Sequence, residues 1–119
     1  MKFKYFTYGE FDSPDSVGSG KLVSDELISM LDVARKKYGK SMAINSGYRT
    51  IEHNAAVGGK PESSHLKGLA VDIACNNSTD RFKLADILRE VGFKRIGIAK
   101  TFIHADIDKD KAQNVLWAY

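Results

Sequence analysis

Apolar residues recur along this chain with two different spacings, and the change of spacing divides the chain into helices and strands. From Ser24 to Gly39, and again from Ser78 to Gly92, the apolar positions repeat near the helical period. Each stretch starts with hydroxyl and acidic residues, which favour a helix N-terminus, and stops at a glycine. The pattern predicts two main helices, the second of them capped by Ser78 or Thr79.

Shorter apolar runs indicate β-strands. The candidate strands cover residues 41–46, 69–75, 93–98 and 102–107. A short helix is predicted from residue 50 or 51 to residue 56, where a glycine pair follows. Helices and strands in this order predict one α+β domain over residues 1–119, with a small antiparallel sheet flanked by the two main helices.

The two ends of the chain carry weaker patterns. Residues 1–20 hold spaced aromatic side chains followed by a loop rich in Gly, Ser, Asp and Pro. This segment is predicted to be either a strand or an N-terminal arm that packs on the domain. Residues 108–110 predict a turn, and residues 115–119 are expected to form a tail.

Composition and charge narrow the class of partner only slightly. The 119 residues are enough for a hydrophobic core without disulfides, and the net charge is +3. Because lysine and arginine are scattered and do not alternate with aromatics, we expect no nucleic-acid partner. The charge equally suits an anionic polymer such as a bacterial cell wall. No apolar run approaches a membrane span, so no membrane insertion is expected, and we expect a monomer.

The single cysteine and the N-terminus bear on cellular location. Cys75 excludes an intrachain disulfide and a cysteine-based zinc site, and its apolar surroundings predict a buried thiol. The first ten residues lack the apolar stretch of a signal peptide. We therefore expect synthesis in the cytoplasm, with any extracellular target reached by another route.

Three residues carry the chemistry that the sequence indicates most clearly. His65 and Asp72 stand seven residues apart, and His104 lies in a predicted strand. Two imidazoles and a carboxylate, with a fourth position left to water, are the ligand set of a catalytic zinc ion. The alternative is that these are unrelated residues of common types, because a spacing of seven is no zinc signature by itself.

Strand parity supports the first interpretation. In an extended chain, His104 and Asp106 project from one face, and Asp72 projects away from the larger aliphatic side chains around it. A carboxylate in so apolar a strand needs a partner, which would be a metal ion, an arginine or a histidine. Asp106 is a candidate general base, or else a residue that orients a metal ligand.

Two further residues have open roles. Arg49 follows a glycine turn, where its guanidinium group either binds a carboxylate in a bidentate manner or lies solvated at the surface. His53 is expected on the surface of the short helix or next to a ligand, rather than as a ligand itself.

Four segments together resemble the zinc D-alanyl-D-alanine carboxypeptidase family. They are SGYRT (46–50), EHNAAVGG (52–59), SHLKGLAVD (64–72) and FIHAD (102–106). That family includes the L-alanyl-D-glutamate endopeptidases of phage lysis and shares its fold with the hedgehog signalling domain. The resemblance runs from about Phe11 to Asp106 and rests on the ordered set of motifs.

The resemblance implies a site and a substrate. It implies that His65, Asp72 and His104 hold Zn²⁺, that Arg49 binds a substrate carboxylate or the polarised carbonyl, and that Ser64 helps position substrate or ligand. It also implies that the substrate is a peptidoglycan stem peptide, cut by a D,D-carboxypeptidase or an L-alanyl-D-glutamate endopeptidase. An enzyme without a signal peptide would fit phage or prophage lysis, or a virion.

One position departs from the family pattern. Many members place an acidic general base three residues before the last histidine ligand, and here that residue is Thr101. Asp106 is the candidate replacement. If it does not act as the base, the alternative is a non-catalytic wall-binding or virion structural module that retains the zinc site. A metal-free binding domain is the third hypothesis, and it requires that His65, Asp72 and His104 do not converge.

Overall fold

A five-stranded sheet and two fourteen-residue helices form the framework of the structure, a computed structural model that describes residues 2–119. The helices are α1 (Asp25–Tyr38), α2 (Ile51–Ala56) and α3 (Ser78–Val91). The strands are β1 (Ile44–Ser46), β2 (Ala70–Ala74), β3 (Arg95–Ile98), β4 (Phe102–Asp106) and β5 (Val115–Ala118). Short 3₁₀ turns cover Tyr8–Phe11, Ser19–Leu22 and Ser64–Lys67. The predicted α+β class is confirmed.

The sheet is mixed rather than purely antiparallel. Its strand order is β1-β2-β4-β3-β5, and each neighbouring pair is antiparallel except β3 and β5, which are parallel. The expectation of a tail at residues 115–119 is therefore wrong, because most of that segment forms an edge strand. Its side chains alternate between half-buried and exposed, which is the strand period, but four residues are too few to establish that period from sequence.

Helix ends follow the local chemistry that the sequence predicts, with one shift. The Ser24 side chain accepts a backbone N–H in the first turn of α1, and Gly39 ends that helix in the left-handed region at φ 74°. The cap of α3 is Asn77, whose side chain accepts a backbone N–H at 2.8 Å. The prediction of Ser78 or Thr79 placed this cap one or two residues too late, since asparagine caps equally well.

The core lies between one face of the sheet and the two long helices. Ile73 and Ile103 point from the sheet into this layer, and Leu31 and Leu88 meet them from α1 and α3; all four are fully buried. Because side chains alternate along a strand, the neighbours of these residues project from the opposite face of the sheet. None of the helices in residues 2–119 combines the length and apolar character needed to cross a membrane.

The N-terminal segment is an arm and not a strand. Phe3, Phe6 and Phe11 are buried in the main core. Asp32 of α1 accepts the backbone N–H groups of residues 4 and 5 at 3.0 and 2.8 Å. The Phe11 carbonyl accepts the Tyr48 N–H at 2.9 Å, which fastens the arm to the turn after β1.

We expect Phe11→Ala to lower the free energy of unfolding by about 3–5 kcal/mol, the usual cost of removing a fully buried phenylalanine. Urea unfolding followed by circular dichroism measures the change. The matched control is Val17→Ala, because Val17 is 98% exposed and its truncation should change stability by less than about 0.5 kcal/mol. Equal effects of the two substitutions would show that the arm does not contribute to the core.

Candidate metal centre

Strand pairing and one short turn bring the three predicted ligands together. Asp72 in β2 lies directly opposite His104 in β4, on the face of the sheet away from α1 and α3. His65 lies in the 3₁₀ turn that precedes β2, and Gly68 closes this turn in the left-handed region at φ 70°. One ligand atom from each of His65, Asp72 and His104 lies within 4.8 Å of the other two.

Hydrogen bonds decide which ring nitrogens face the centre. The Nδ1–H of His65 donates to the Gly47 carbonyl at 2.8 Å, which leaves Nε2 facing Asp72 Oδ1 at 3.4 Å. The Nε2–H of His104 donates to Asp106 Oδ2 at 2.7 Å, which leaves Nδ1 facing Asp72 Oδ1 at 2.9 Å. Both rings therefore direct one nitrogen to the same carboxylate oxygen.

This donor set fits zinc. Bonds of about 2.0–2.1 Å in a tetrahedron separate neighbouring ligand atoms by about 3.3 Å, and the observed separations of 2.9 and 3.4 Å lie on either side of that value. All three residues are buried, and each histidine already has its second nitrogen held by an acceptor. The geometry thus satisfies the requirement of convergence, while zinc binding itself stays a prediction.

Asp72 and His104 shift each other's pKa in opposite directions. Burial alone would raise the pKa of Asp72, but the imidazole rings of His104 and His65 beside it hold this pKa well below its ordinary value. Burial would likewise lower the pKa of His104, but its hydrogen bonds to Asp106 and Asp72 raise it. Both shifts favour the charged forms of Asp72 and His104, whose Oδ1 and Nδ1 atoms lie 2.9 Å apart.

Asp106 is almost fully buried, and both its carboxylate oxygens are occupied. Oδ2 accepts from His104, and Oδ1 accepts from Arg95 Nε at 2.8 Å and from the Asp108 N–H at 3.0 Å. A carboxylate on the far nitrogen of a metal-binding imidazole sets the orientation of the ring. Of the two roles that the sequence leaves open for Asp106, this geometry favours orientation over proton transfer.

Arg49 is held beside the centre and is not a solvated surface residue. Its Nε donates to Ser46 Oγ at 3.0 Å, its Nη1 donates to Asn54 Oδ1 at 3.2 Å, and its Nη2 lies 3.5 Å from Asp72 Oδ2. Glycine is needed at position 59, because a Cβ there would lie 2.0 Å from Asn54 Oδ1. Each terminal nitrogen of Arg49 keeps one further N–H for a ligand.

Ser64 is buried, and its hydroxyl is already engaged. It donates to Asp108 Oδ2 at 2.7 Å and accepts from Lys111 Nζ at 2.9 Å. Burial would raise the pKa of Asp108, but hydrogen bonds from Ser64 and Lys67 hold it below its ordinary value. Ser64 therefore fixes the position of Lys111 at the edge of the site.

A cleft of about 680 Å³ opens over these groups. Its basic side chains are Arg49, Lys60, Arg95 and Lys111. Its aromatic side chains are Phe102, Trp117 and Tyr119. Its carboxylates are Glu62, Asp72 and Asp106. Thr101 is exposed at the β3–β4 turn, and His53 borders a smaller neighbouring depression.

Several residues of the site were missed at the level of sequence. Asn54 lies in a motif of the resemblance but was given no role, whereas Arg95 and Lys111 belong to stretches with no signature of their own. The roles of these three residues come from partners 5, 11 and 47 residues away. Trp117 had a weak signal, since it is the one tryptophan of the sequence and stands in the apolar stretch 115–119. Its position above the site depends on the pairing of β5.

Comparison with known proteins places the chain in a family. The family model described as peptidase M15 matches residues 4–106, and the chain belongs to this family of peptidases. It is 34% identical over 100 residues to the zinc D-Ala-D-Ala carboxypeptidase of Streptomyces albus G, an alignment that covers 76% of this chain and 39% of that protein. The chain thus spans about two fifths of the length of this relative. The resemblance noted from the motifs is confirmed.

We expect zinc affinity to rise with pH through neutrality. The raised pKa of His104 keeps its ring charged to higher pH than a free imidazole. The charged ring therefore stabilises the metal-free protein at acidic pH, and this stabilisation is lost as the pH rises through that pKa. Zinc binds only the neutral ring, so the affinity of the protein for zinc should increase as the pH rises through the pKa of His104.

Competition with a chromophoric chelator at a series of pH values measures this affinity. His53→Ala is the control, because His53 lies outside the ligand cluster and its removal should leave the curve unchanged. Zinc affinity that does not rise as the pH increases above about 6.5, the ordinary pKa of histidine, would contradict the assignment of His104 as a ligand.

Proposed function

We propose that this protein is a zinc-dependent peptidase that hydrolyses stem peptides of bacterial peptidoglycan. The observation that carries the proposal is the convergence of His65, Asp72 and His104 at the base of a cleft in a chain of the peptidase M15 family. The carboxypeptidase of Streptomyces albus G supports zinc as the metal and a D-alanyl peptide as the substrate.

The chain's own residues supply binding and orientation. Zinc, when bound by such a ligand set, polarises a carbonyl group and lowers the pKa of water to about 7. Arg49 lines the cleft beside Asp72, and the N–H that each of its terminal nitrogens keeps would stabilise the oxygen of the attacked carbonyl or bind a substrate carboxylate. Lys60 and Lys111 add positive charge to the cleft, which suits the carboxylates of a stem peptide.

Peptide hydrolysis also needs a group that accepts a proton from the attacking water. Thr101 is exposed and has no basic group to offer, and Asp106 is committed to His104 and Arg95. Glu62 is the exposed carboxylate at the cleft. Asp106 and Glu62 are therefore the two candidates. If neither accepts a proton, the chain is the wall-binding or virion structural module that Thr101 favours.

Digestion of the wall tests the proposal. Zinc-loaded protein is incubated with purified peptidoglycan and with soluble stem pentapeptide, and the products are identified by mass spectrometry. Release of the terminal D-alanine would define a D,D-carboxypeptidase, and a cut after L-alanine would define an endopeptidase. The chelated protein and His104→Ala serve as inactive controls. Absence of products with zinc bound would contradict the peptidase and favour the binding module.

A phage or prophage source, with release at lysis or as part of a virion, is a narrower form of the proposal. The sequence motifs that resemble lysis endopeptidases support it. The product of digestion bears on it directly, since a cut after L-alanine is the reaction of those endopeptidases.

We expect Asp106→Asn to lower zinc affinity by about 10–100-fold, because the asparagine amide holds the His104 ring less firmly than a carboxylate does. Zinc affinity and kcat are measured together. If Asp106 were instead the general base, zinc affinity would stay the same and kcat would fall by about 10²–10⁴.

Two further substitutions complete this test. Asp110→Asn is the matched control, since the Asp110 side chain is 87% exposed and should affect neither quantity. Glu62→Gln should lower kcat without changing zinc affinity if Glu62 accepts the proton.

A further inference from the structure

The strand at the edge of the sheet lies outside the residues that define the family match. That match ends at residue 106, whereas β5 covers Val115–Ala118. Trp117 of this strand and the neighbouring Tyr119 nevertheless line the cleft above the metal centre. This part of the cleft is thus formed by a segment that lies outside the family match and that has no role in the proposed catalysis.

Strand register places Trp117 in line with the ligands. Ser46, Asp72, His104, Gly97 and Trp117 are successive cross-strand partners, one from each of β1, β2, β4, β3 and β5. Cross-strand partners project from the same face of a sheet. The row therefore runs from one edge of the sheet to the other, with the ligands in its middle and the indole at its β5 end.

Gly97 allows the indole to reach the metal centre. Gly97 stands between His104 and Trp117 in the row, and the Trp117 ring lies over it with its centroid 5.4 Å from that of His104. A Cβ at position 97 would lie 2.6 Å from Nε1 and Cε2 of the indole. Any larger residue at this position would force the ring away from His104.

A second contact fixes the ring from the β3 side. The Arg95 guanidinium carbon lies 5.0 Å from the ring centroid, and the same side chain is held by Asp106 and by the Ala112 carbonyl. The indole is thus held in place before a ligand binds, so little side-chain entropy is lost on binding. Trp117 is only partly buried, so part of its surface remains free toward the cleft.

We propose that Trp117 is a specificity-determining residue, whose ring binds the short aliphatic side chain next to the scissile bond, and that Gly97 sets its position. The inference rests on the proposed peptidase function. Arg49 follows β1 at the opposite edge of the sheet, so a peptide that crosses the ligands would meet a guanidinium group at one end and an apolar ring at the other. That pairing suits a short peptide with a carboxylate and small apolar side chains.

The test compares two peptides that differ by one methyl group. The zinc-loaded enzyme is assayed on a stem pentapeptide and on the analogue with glycine in place of the alanine next to the cut bond. We expect the wild type to prefer alanine by about tenfold in kcat/KM, the lower end of the range for one carbon in an apolar pocket. Trp117→Ala should abolish this preference, mainly by raising KM for the alanine peptide, and Trp117→Phe should keep most of it.

Gly97→Ala is the matched variant, because it displaces the ring without removing it and should also abolish the preference. A merely structural role of Trp117 would lower stability or activity equally for both peptides and leave their ratio unchanged. That result would overturn the inference while the peptidase function stands.

Fluorescence gives a readout that does not need turnover. Trp117 is the only tryptophan of the sequence, so tryptophan emission reports on this part of the cleft alone. Titration of the wild type with the pentapeptide should change the emission in a saturable manner. If this occurs without any hydrolysis, Trp117 contacts the peptide, but the peptidase proposal fails and the specificity role at a scissile bond fails with it. A response to an N-acetylglucosamine oligosaccharide but not to the peptide would overturn the inference in favour of a sugar-binding wall, and no response to either would overturn it outright.

Discussion

The register between β2 and β4 is the constraint on which the rest of the structure depends. It sets Asp72 opposite His104 on one face, while Ile73 and Ile103 meet on the other face beneath the helices. A slip of one residue in either strand would bury a ligand in the apolar layer and expose an isoleucine, so the register is strongly determined. The candidate metal centre is thus positioned by the hydrophobic core, although none of the three proposed ligands belongs to that core.

Buried charges around the centre form one continuous network. Asp72 contacts His104, His104 contacts Asp106, and Asp106 is bound by Arg95, whose guanidinium group also contacts Trp117. Each buried carboxylate has a cationic or donor partner, as the cost of an unpaired buried charge requires. This network joins the proposed ligands in the middle of the sheet to the Trp117 ring at its β5 edge. A substitution at either end is therefore expected to shift the side chains at the other.

The cleft is lined both by residues inside the region that matches the family and by residues that follow it. The ligands, Arg49 and Asp106 all lie within residues 4–106, which match the peptidase M15 family. Lys111, Trp117 and Tyr119 follow that region, and all three line the cleft. On the proposed function, changes in the later segment would alter which peptide is bound and leave the proposed metal ligands, which lie in the matched region, unchanged.

The sequence by itself determined the helices, and it indicated the proposed ligands and the face from which they project, because caps, hydrophobic periods and strand parity are properties of neighbouring residues. The order of the strands, the parallel pairing of β5, the hydrogen bonds that occupy Asp106, and the burial of Ser64 were decided only by the tertiary structure. These features depend on contacts between segments far apart in the chain. Such contacts leave no periodic signal in either segment, so Trp117 becomes part of the cleft only when β5 pairs with β3.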